Sequence, residues 1–125
     1  MSGNKILIDT NIAIYLFNGD DDLGNILQDT EAYVSFINQL ELLGHKTITP
    51  QEENWLELFL EECNIMDFNK GIKDITIRLR RKYALKLPDA IVASTAIFLG
   101  IPLISADRHF DKIAELTFIL YESNK

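Results

Sequence analysis

The chain has 125 residues, of which 47% are hydrophobic and 25% charged, a mixture that excludes a disordered chain and favours a single domain over residues 1–125. It has one cysteine, Cys63, no uncharged apolar run of about 18 residues and no basic, cleavable leader, so we expect a soluble cytoplasmic protein with no membrane association. The net charge of −7 argues against a nucleic-acid partner, because phosphate binding normally depends on a basic surface.

Predicted strands and helices alternate along the first half of the chain. Residues 5–8 are an aliphatic run typical of a strand, and Asp9, Thr10 and Asn11 after it are residue types that favour helix N-caps. The following predicted elements are a helix over 12–17, a strand over 32–35, a helix over 36–43 that is capped by Ser35 and stops at Gly44 as its C′ residue, and a helix from Pro50 to about Cys63.

The second half continues the alternation. The predicted elements are a strand over 64–68, helices over 70–83 and 89–99, a strand over 101–105, a short helix over 107–115 and a strand over 118–121. The helix over 89–99 is apolar on almost all sides, so it should be buried. This pattern predicts an α/β fold, a three-layer α/β/α sandwich with a central, mainly parallel sheet.

Three acidic residues lie where predicted strands end or helices begin. Asp9 follows the first strand, Asp107 follows the strand over 101–105, and Asp89 opens a helix after Pro88. Open α/β sheets bind ligands at the edge where their parallel strands end. We therefore expect Asp9, Asp89 and Asp107 to lie close together.

Glu41 lies inside a predicted helix. It borders an apolar arc that contains Ile37 and Leu40, so its carboxylate should be partly sheltered. Sheltered carboxylates repel one another and lose hydration, so a group of them requires protonation, hydrogen bonds or a cation. A cluster of oxygen ligands favours Mg²⁺ or Mn²⁺.

Each of these positions also has an ordinary structural explanation. Residues 9–11 suit a helix cap, and Asp89 suits the positive end of a helix dipole. Asp107 suits a turn, and Glu41 suits the border of a helix. Only their joint arrangement points to a site.

A basic stretch precedes Pro88 and Asp89. Five of the 12 basic residues fall within residues 78–86, which contain no acid: Arg78, Arg80, Arg81, Lys82 and Lys86. This stretch is a local exception to the acidic net charge, although a solvated helix face would explain it equally well.

Four segments carry a recognisable pattern. They are Ile8-Asp9-Thr10-Asn11, then Ser35 with Glu41 and Gly44, then Leu87-Pro88-Asp89-Ala90 with the apolar residues after it, and finally Leu103-Ile104-Ser105-Ala106-Asp107 with Phe110. Over nearly the whole chain they resemble the PIN-domain family, and the length and arrangement look most like its VapC-type toxins. The resemblance implies a PIN-like fold and a Mg²⁺- or Mn²⁺-dependent endoribonuclease. It also implies the toxin role in a type II toxin–antitoxin pair, with an antitoxin protein as partner and a homodimeric state.

The resemblance also implies roles for individual residues. Its acidic positions, which are both metal ligands and catalytic residues, match Asp9, Glu41, Asp89 and Asp107. We expect the three aspartates to hold the main cation and Glu41 to position a water molecule or a second ion, so the number of ions stays open. The residues expected to support the site are Thr10, Asn11 and Ser105.

Two positions depart from the family pattern. His109 stands where an aspartate before the phenylalanine is common, and Asp111 follows that phenylalanine instead. Neither residue is therefore assigned a metal-binding role. His45 and His109 are interpreted as surface or hydrogen-bonding histidines.

The same interpretation covers partners. The basic residues of the 78–86 stretch would bind the RNA backbone, since cations neutralise the acids locally and salt screens distant charges. The acidic balance suits a basic segment of an antitoxin. Apolar residues on the helices of Trp55 and Ile72 are candidates for a dimer interface, although core packing explains them equally well.

Alternatives stay open at this point. One is a PIN nuclease of RNA processing or DNA cleavage, and another is a PIN-like module that binds nucleic acid or protein without catalysis. The complete acidic quartet disfavours the second. A receiver or phosphatase fold is disfavoured because Asp9-Thr10-Asn11 lacks the second aspartate of an Asp-x-Asp strand end.

Overall fold

The computed structural model describes residues 4–123. Within that range the strands are β1 (Asn4–Ile8), β2 (Thr30–Ser35), β3 (Asn64–Met66), β4 (Leu103–Ser105) and β5 (Phe118–Leu120). The helices are α1 (Thr10–Phe17), α2 (Asp21–Leu27), α3 (Phe36–Leu43), α4 (Pro50–Glu61), α5 (Lys70–Lys82) and α6 (Leu87–Leu99), followed by a 3₁₀ helix over Arg108–Lys112. The predicted alternation of strands and helices is confirmed.

The strands form one sheet in the order β3-β2-β1-β4-β5, and its strand pairs are parallel. β1 lies at the centre, with Leu7 opposite Tyr33 of β2 and Leu103 of β4. Neighbouring strands lie roughly 5 Å apart, so the residues that follow β2, β1 and β4 are neighbours at one edge of the sheet. The α/β class and the parallel sheet were therefore predicted correctly.

Different helices cover the two faces of β1. Leu7 packs with Leu79 of α5 and Val92 of α6. Ile6 and Ile8 belong to a second cluster, which includes residues of α1, α2 and α4. Because side chains alternate between the faces of a strand, an apolar strand of this kind is buried on both sides. The predicted three-layer sandwich is confirmed.

α2 was not predicted, because its apolar residues, Leu23, Ile26 and Leu27, span little more than one turn and Gly24 lies among them. Leu23 is its buried residue, and its backbone N–H donates to Oδ1 of Asp20 at 3.1 Å to begin the helix. Other differences concern boundaries: β3 ends at Met66, and the predicted helix over 107–115 is a five-residue 3₁₀ helix. Gly44 ends α3 with φ −90°, so it is not the left-handed C′ residue that was expected.

α6 is buried on almost every side, as predicted. Residues 90–96 are all buried. The hydroxyls of Ser94 and Thr95 donate to the carbonyls of Ala90 at 2.6 Å and Ile91 at 2.7 Å, which satisfies them inside the helix. Asp89, in the first turn of α6, therefore belongs to a helix that is fixed in the interior by the residues after it. No helix within residues 4–123 has the length and apolar composition needed to cross a membrane.

The helices of Trp55 and Ile72 contribute mainly to the interior of the chain. Ile72 is fully buried, and Trp55 stacks on Phe59 with 5.0 Å between ring centroids. Leu58 of α4 and Ile77 of α5 are the large hydrophobic residues that these helices leave exposed. Core packing therefore explains most of the residues that the sequence offered as dimer contacts.

Gly71 allows α5 and α6 to approach closely, because a Cβ atom there would lie 2.4 Å from Cε1 of Phe98. Because Phe98 is 44% exposed and its ring can turn aside, Gly71→Ala should lower the free energy of unfolding by only about 1 kcal/mol in urea denaturation. In a Phe98→Ala background the ring is absent, so adding Gly71→Ala should not lower the free energy of unfolding any further. An equal cost in both backgrounds would contradict this account.

Candidate active site

The four predicted acidic residues converge where the strands of the sheet end. Asp9 directly follows β1, and Asp107 lies two residues beyond β4. Asp89 is in the first turn of α6, and Glu41 is near the end of α3. Burial raises the pKa of Asp89, and the charges of Asp107, Asp9 and Glu41 raise it further. Asp89 and Asp107 present ligand atoms within 4.8 Å of each other, Ser105 connects Asp107 to Asp9, and Asn38 connects Asp9 to Glu41. The four carboxylates therefore form one cluster.

Asp9 is the most buried of the four, with 9% of its surface exposed. Its Oδ1 accepts hydrogen bonds from the backbone N–H of Thr10 at 2.9 Å and from Nδ2 of Asn38 at 3.1 Å. Its Oδ2 accepts one from the hydroxyl of Ser105 at 2.7 Å. Burial raises the pKa of Asp9 in spite of these bonds, and the charge of Asp107 adds to the rise. A cation beside Asp9 would offset this cost of burying its charge.

Asn11 and Ser105 connect the start of α1 to the loop that carries Asp107. The Ser105 hydroxyl oxygen accepts a hydrogen bond from the backbone N–H of Asp107 at 3.0 Å. The side-chain Oδ1 of Asn11 accepts a hydrogen bond from the backbone N–H of Ala106 at 3.1 Å, and Asn11 Nδ2 donates to Ser105 Oγ at 3.3 Å. These contacts fix the position of Asp107 relative to Asp9.

Asn38 is a site residue that was not predicted from the sequence. Its side chain is 1% exposed, and Nδ2 lies 2.8 Å from Thr10 Oγ1 and 3.4 Å from Glu41 Oε1 in addition to its bond with Asp9. Its Oδ1 is buried without a hydrogen-bond partner in the described part of the chain. The signal was present in the sequence, because an asparagine three residues before Glu41 shares its face of the helix.

Glu41 is exposed, so the prediction of a partly sheltered carboxylate is wrong. Leu42 is the residue of that turn that points into the interior. Glu41 nevertheless has a defined position, because its Oε1 accepts a hydrogen bond from the Thr10 hydroxyl at 3.1 Å. The structure therefore brings Glu41 to the site at its open side.

His109 also lies in the cluster, although the sequence pattern predicted no such role for it. Its Nδ1 is 2.6 Å from Oδ1 of Asp107. Ligand atoms of Asp89, Asp107 and His109 all lie within 4.8 Å of one another. The other histidine, His45, instead has its Nδ1 3.0 Å from the Thr47 hydroxyl in the turn after α3.

The chemistry of these donors fits a divalent cation. Carboxylate oxygens are the ligands that Mg²⁺ and Mn²⁺ prefer. The raised pKa values of Asp9 and Asp89 show that their charges lack full compensation from protein groups alone. A bound cation would supply it.

The basic stretch lies at the end of α5 and in the connection to α6. Arg78, Arg80, Arg81, Lys82 and Lys86 are all exposed. Lys82 bonds Glu115 at 3.3 Å, whereas Arg80 and Arg81 form no ion pair within residues 4–123. Since α6 begins directly after Lys86, this stretch ends three residues before Asp89 along the chain.

Solved structures with a similar fold cover almost the whole chain. A chain of a toxin–antitoxin complex from Klebsiella pneumoniae is 31% identical with a TM-score of 0.79, and the match covers 94% of this chain and 98% of that one. VapBC2 from Rickettsia felis, bound to a promoter DNA fragment, gives 23% identity, a TM-score of 0.84 and coverage of 94% and 99%. DNA-bound VapBC from Salmonella typhimurium is 19% identical with a TM-score of 0.80, and the match covers 93% of this chain and 97% of that one.

Comparison of the sequence with family models identifies the family of the chain. No protein with a curated description matches the chain. The family model described as the PIN domain matches residues 6–116, which include all four acids, Asn38 and His109. The chain therefore belongs to the PIN-domain family.

Proposed function

We propose that this protein is a divalent-metal-dependent endoribonuclease that acts as the toxin of a type II toxin–antitoxin pair. The observation that carries the proposal is that four acidic side chains come together where the strands end. Asp89 and Asp107 have ligand atoms within 4.8 Å of each other, and hydrogen bonds through Asn38 and Thr10 link Glu41 to Asp9. Membership of the PIN-domain family supports nuclease chemistry. The 31% identity to a chain of a toxin–antitoxin complex supports the biological role.

Asp9, Asp89 and Asp107 would hold Mg²⁺ or Mn²⁺. When bound, such an ion supplies Lewis acidity toward the phosphate and lowers the pKa of water. The protein's own contribution is orientation, since Ser105 and Asn38 hold opposite oxygens of the Asp9 carboxylate. Glu41 is the most exposed of the four acids. It is therefore open to solvent, where it would position a water molecule or a second ion.

The proposed toxin role requires a protein partner. An antitoxin would cover the acidic cluster with a basic segment, in keeping with the net charge of −7. Growth arrest on expression, relieved by the product of a neighbouring small gene, is the expected result in cells. A protein that cleaves RNA without harming growth would favour a role in RNA processing instead. We propose a homodimer as its state in solution, which light scattering measures directly.

The decisive biochemical test offers purified protein single-stranded RNA, structured RNA and single-stranded DNA with Mg²⁺, Mn²⁺ or EDTA. RNA cleavage that requires the metal is expected. Cleavage of DNA alone would overturn the choice of substrate. Binding of RNA without cleavage, together with no uptake of metal in calorimetry, would favour a non-catalytic module.

Arg80 and Arg81 are predicted to bind the RNA backbone. Arg80→Ala/Arg81→Ala should weaken RNA binding at low salt and reduce the slope of log affinity against log salt by about one for each phosphate that is no longer neutralised. Fluorescence anisotropy in EDTA measures binding without cleavage. Lys73→Ala, an exposed lysine nearer the start of the same helix, is the matched control. A slope unchanged in the double variant would show that these arginines are only a solvated helix face.

A further inference from the structure

The position of His109 is fixed by its backbone and not by its exposed ring. Its backbone N–H donates to Oδ1 of Asp107 at 2.9 Å, and the next residue, Phe110, is fully buried. The ring itself is 71% exposed. This arrangement places a nitrogen donor at the open side of the carboxylate cluster.

The donor atoms lie close to the spacing of one coordination sphere. An octahedral cation with ligands near 2.1 Å holds adjacent donors about 3 Å apart and opposite donors about 4 Å apart. His109 Nδ1 and Asp107 Oδ1 are 2.6 Å apart, the distance of a hydrogen bond with one proton between them, and the Asp89 donor completes a group that spans no more than 4.8 Å. A bound cation would take the place of that proton, with His109 Nδ1 and Asp107 Oδ1 moving slightly apart and the Asp89 donor moving inward.

An ion pair with Asp107 is the simpler explanation of the His109 contact. That explanation requires nothing of Asp89, yet Asp89 lies within the same 4.8 Å group and approaches from a different element, α6. The 3₁₀ helix and α6 thus present two carboxylates and one imidazole to the same small volume. Such a mixed set of donors is typical of a transition-metal site.

We propose that His109 is a nitrogen ligand of the cation held by Asp89 and Asp107, and that it makes the site prefer Mn²⁺ to Mg²⁺. The inference rests on the metal site of the proposed function and narrows its metal. Mg²⁺ is a hard ion that favours oxygen ligands, whereas imidazole suits the transition metals. An acidic residue at this position would leave an all-oxygen site, which discriminates less between the two ions.

Electron paramagnetic resonance of bound Mn²⁺ tests the proposal without measuring activity. In untagged protein, pulsed spectra should show ¹⁴N modulation from a directly bound imidazole, and ¹⁵N-labelled histidine should shift it. His109→Gln should abolish the modulation, lower Mn²⁺ affinity by about 10-fold or more, and affect Mg²⁺ affinity less. Mg²⁺ competition against the free Mn²⁺ signal gives the ratio of affinities.

The chain has two histidines, so His45→Gln is the matched control and should retain both the modulation and the preference for Mn²⁺. Bound Mn²⁺ without nitrogen modulation would overturn this inference and leave the proposed function standing. Modulation that persists in His109→Gln and disappears in His45→Gln would also overturn it. Absence of any Mn²⁺ or Mg²⁺ binding would overturn the inference together with the proposed metal-dependent activity.

Discussion

Asp9→Asn is expected to reduce metal-dependent RNA cleavage by at least about 100-fold, because substitution of residues that only orient a metal ligand already costs about 10- to 100-fold in affinity or activity. The protein should stay folded. Asparagine has the same shape and retains one acceptor oxygen, and burial already disfavours the charged form of Asp9, whose pKa is raised. Cleavage rates at saturating metal, with circular dichroism and thermal unfolding, measure both effects. Mg²⁺ or Mn²⁺ should also raise the melting temperature of the wild type more than that of the variant.

Asp20→Asn provides a matched control for this substitution. Asp20 is also a buried aspartate that caps a helix, with 8% of its surface exposed. Its carboxylate oxygens lie 2.9 and 2.8 Å from the hydroxyl of Tyr121, and it follows α1, whereas Asp9 precedes that helix. Asp20→Asn should therefore lower stability and leave cleavage intact. Equal cleavage by Asp9→Asn and the wild type would mean a contaminant nuclease or a site elsewhere.

Phe110→Ala should lower the free energy of unfolding by roughly 3–5 kcal/mol, the usual cost of removing a fully buried phenylalanine. Phe110 has no exposed surface and belongs to the same cluster as Leu7, Val92 and Leu103. It also anchors the 3₁₀ helix that follows Asp107. The variant should therefore lose metal affinity as well as stability. Urea denaturation with and without Mn²⁺ measures both.

Phe118→Ala separates the two effects of Phe110→Ala. The ring of Phe118 lies 5.8 Å from that of Phe110, but Phe118 is only partly buried and lies on β5, away from the four acids in the chain. It should cost less stability and leave metal affinity unchanged. A Phe110→Ala protein as stable as the wild type would contradict the packing described for this helix.

The elements of the fold followed from local sequence patterns. The aliphatic run before Asp9 has the length of a strand, and the longer apolar run after Asp89 has the length of a buried helix. α2 was not predicted, because its apolar residues cover little more than one turn. Its capping residue, Asp20, is also held by Tyr121, about a hundred residues away, which no local pattern reveals.

Some residues of the candidate site could be predicted from the sequence, and others could not. Asp9 and Asp107 were predictable because parallel strands end at one edge, and that rule requires no knowledge of side-chain geometry. Asn38 and His109 were not predicted. Asn38 contacts the site through a hydrogen bond to a residue 29 positions away, and the proposed role of His109 depends on Asp89, which lies on a separate helix.

For Glu41, the sequence predicted the position in the helix but not the exposure of the side chain. The sequence alone determined that an acid would occupy this turn of α3, beside an apolar arc, and the family pattern pointed to it as a site residue. Tertiary structure decided that its side chain is exposed and is held by Thr10 at 3.1 Å. The physical reason is that periodicity gives the angle of a residue around its helix, whereas exposure depends on which neighbours cover that angle. For the three aspartates the sequence thus indicated a common edge of the sheet, and for all four acids packing decided which are buried and what holds them.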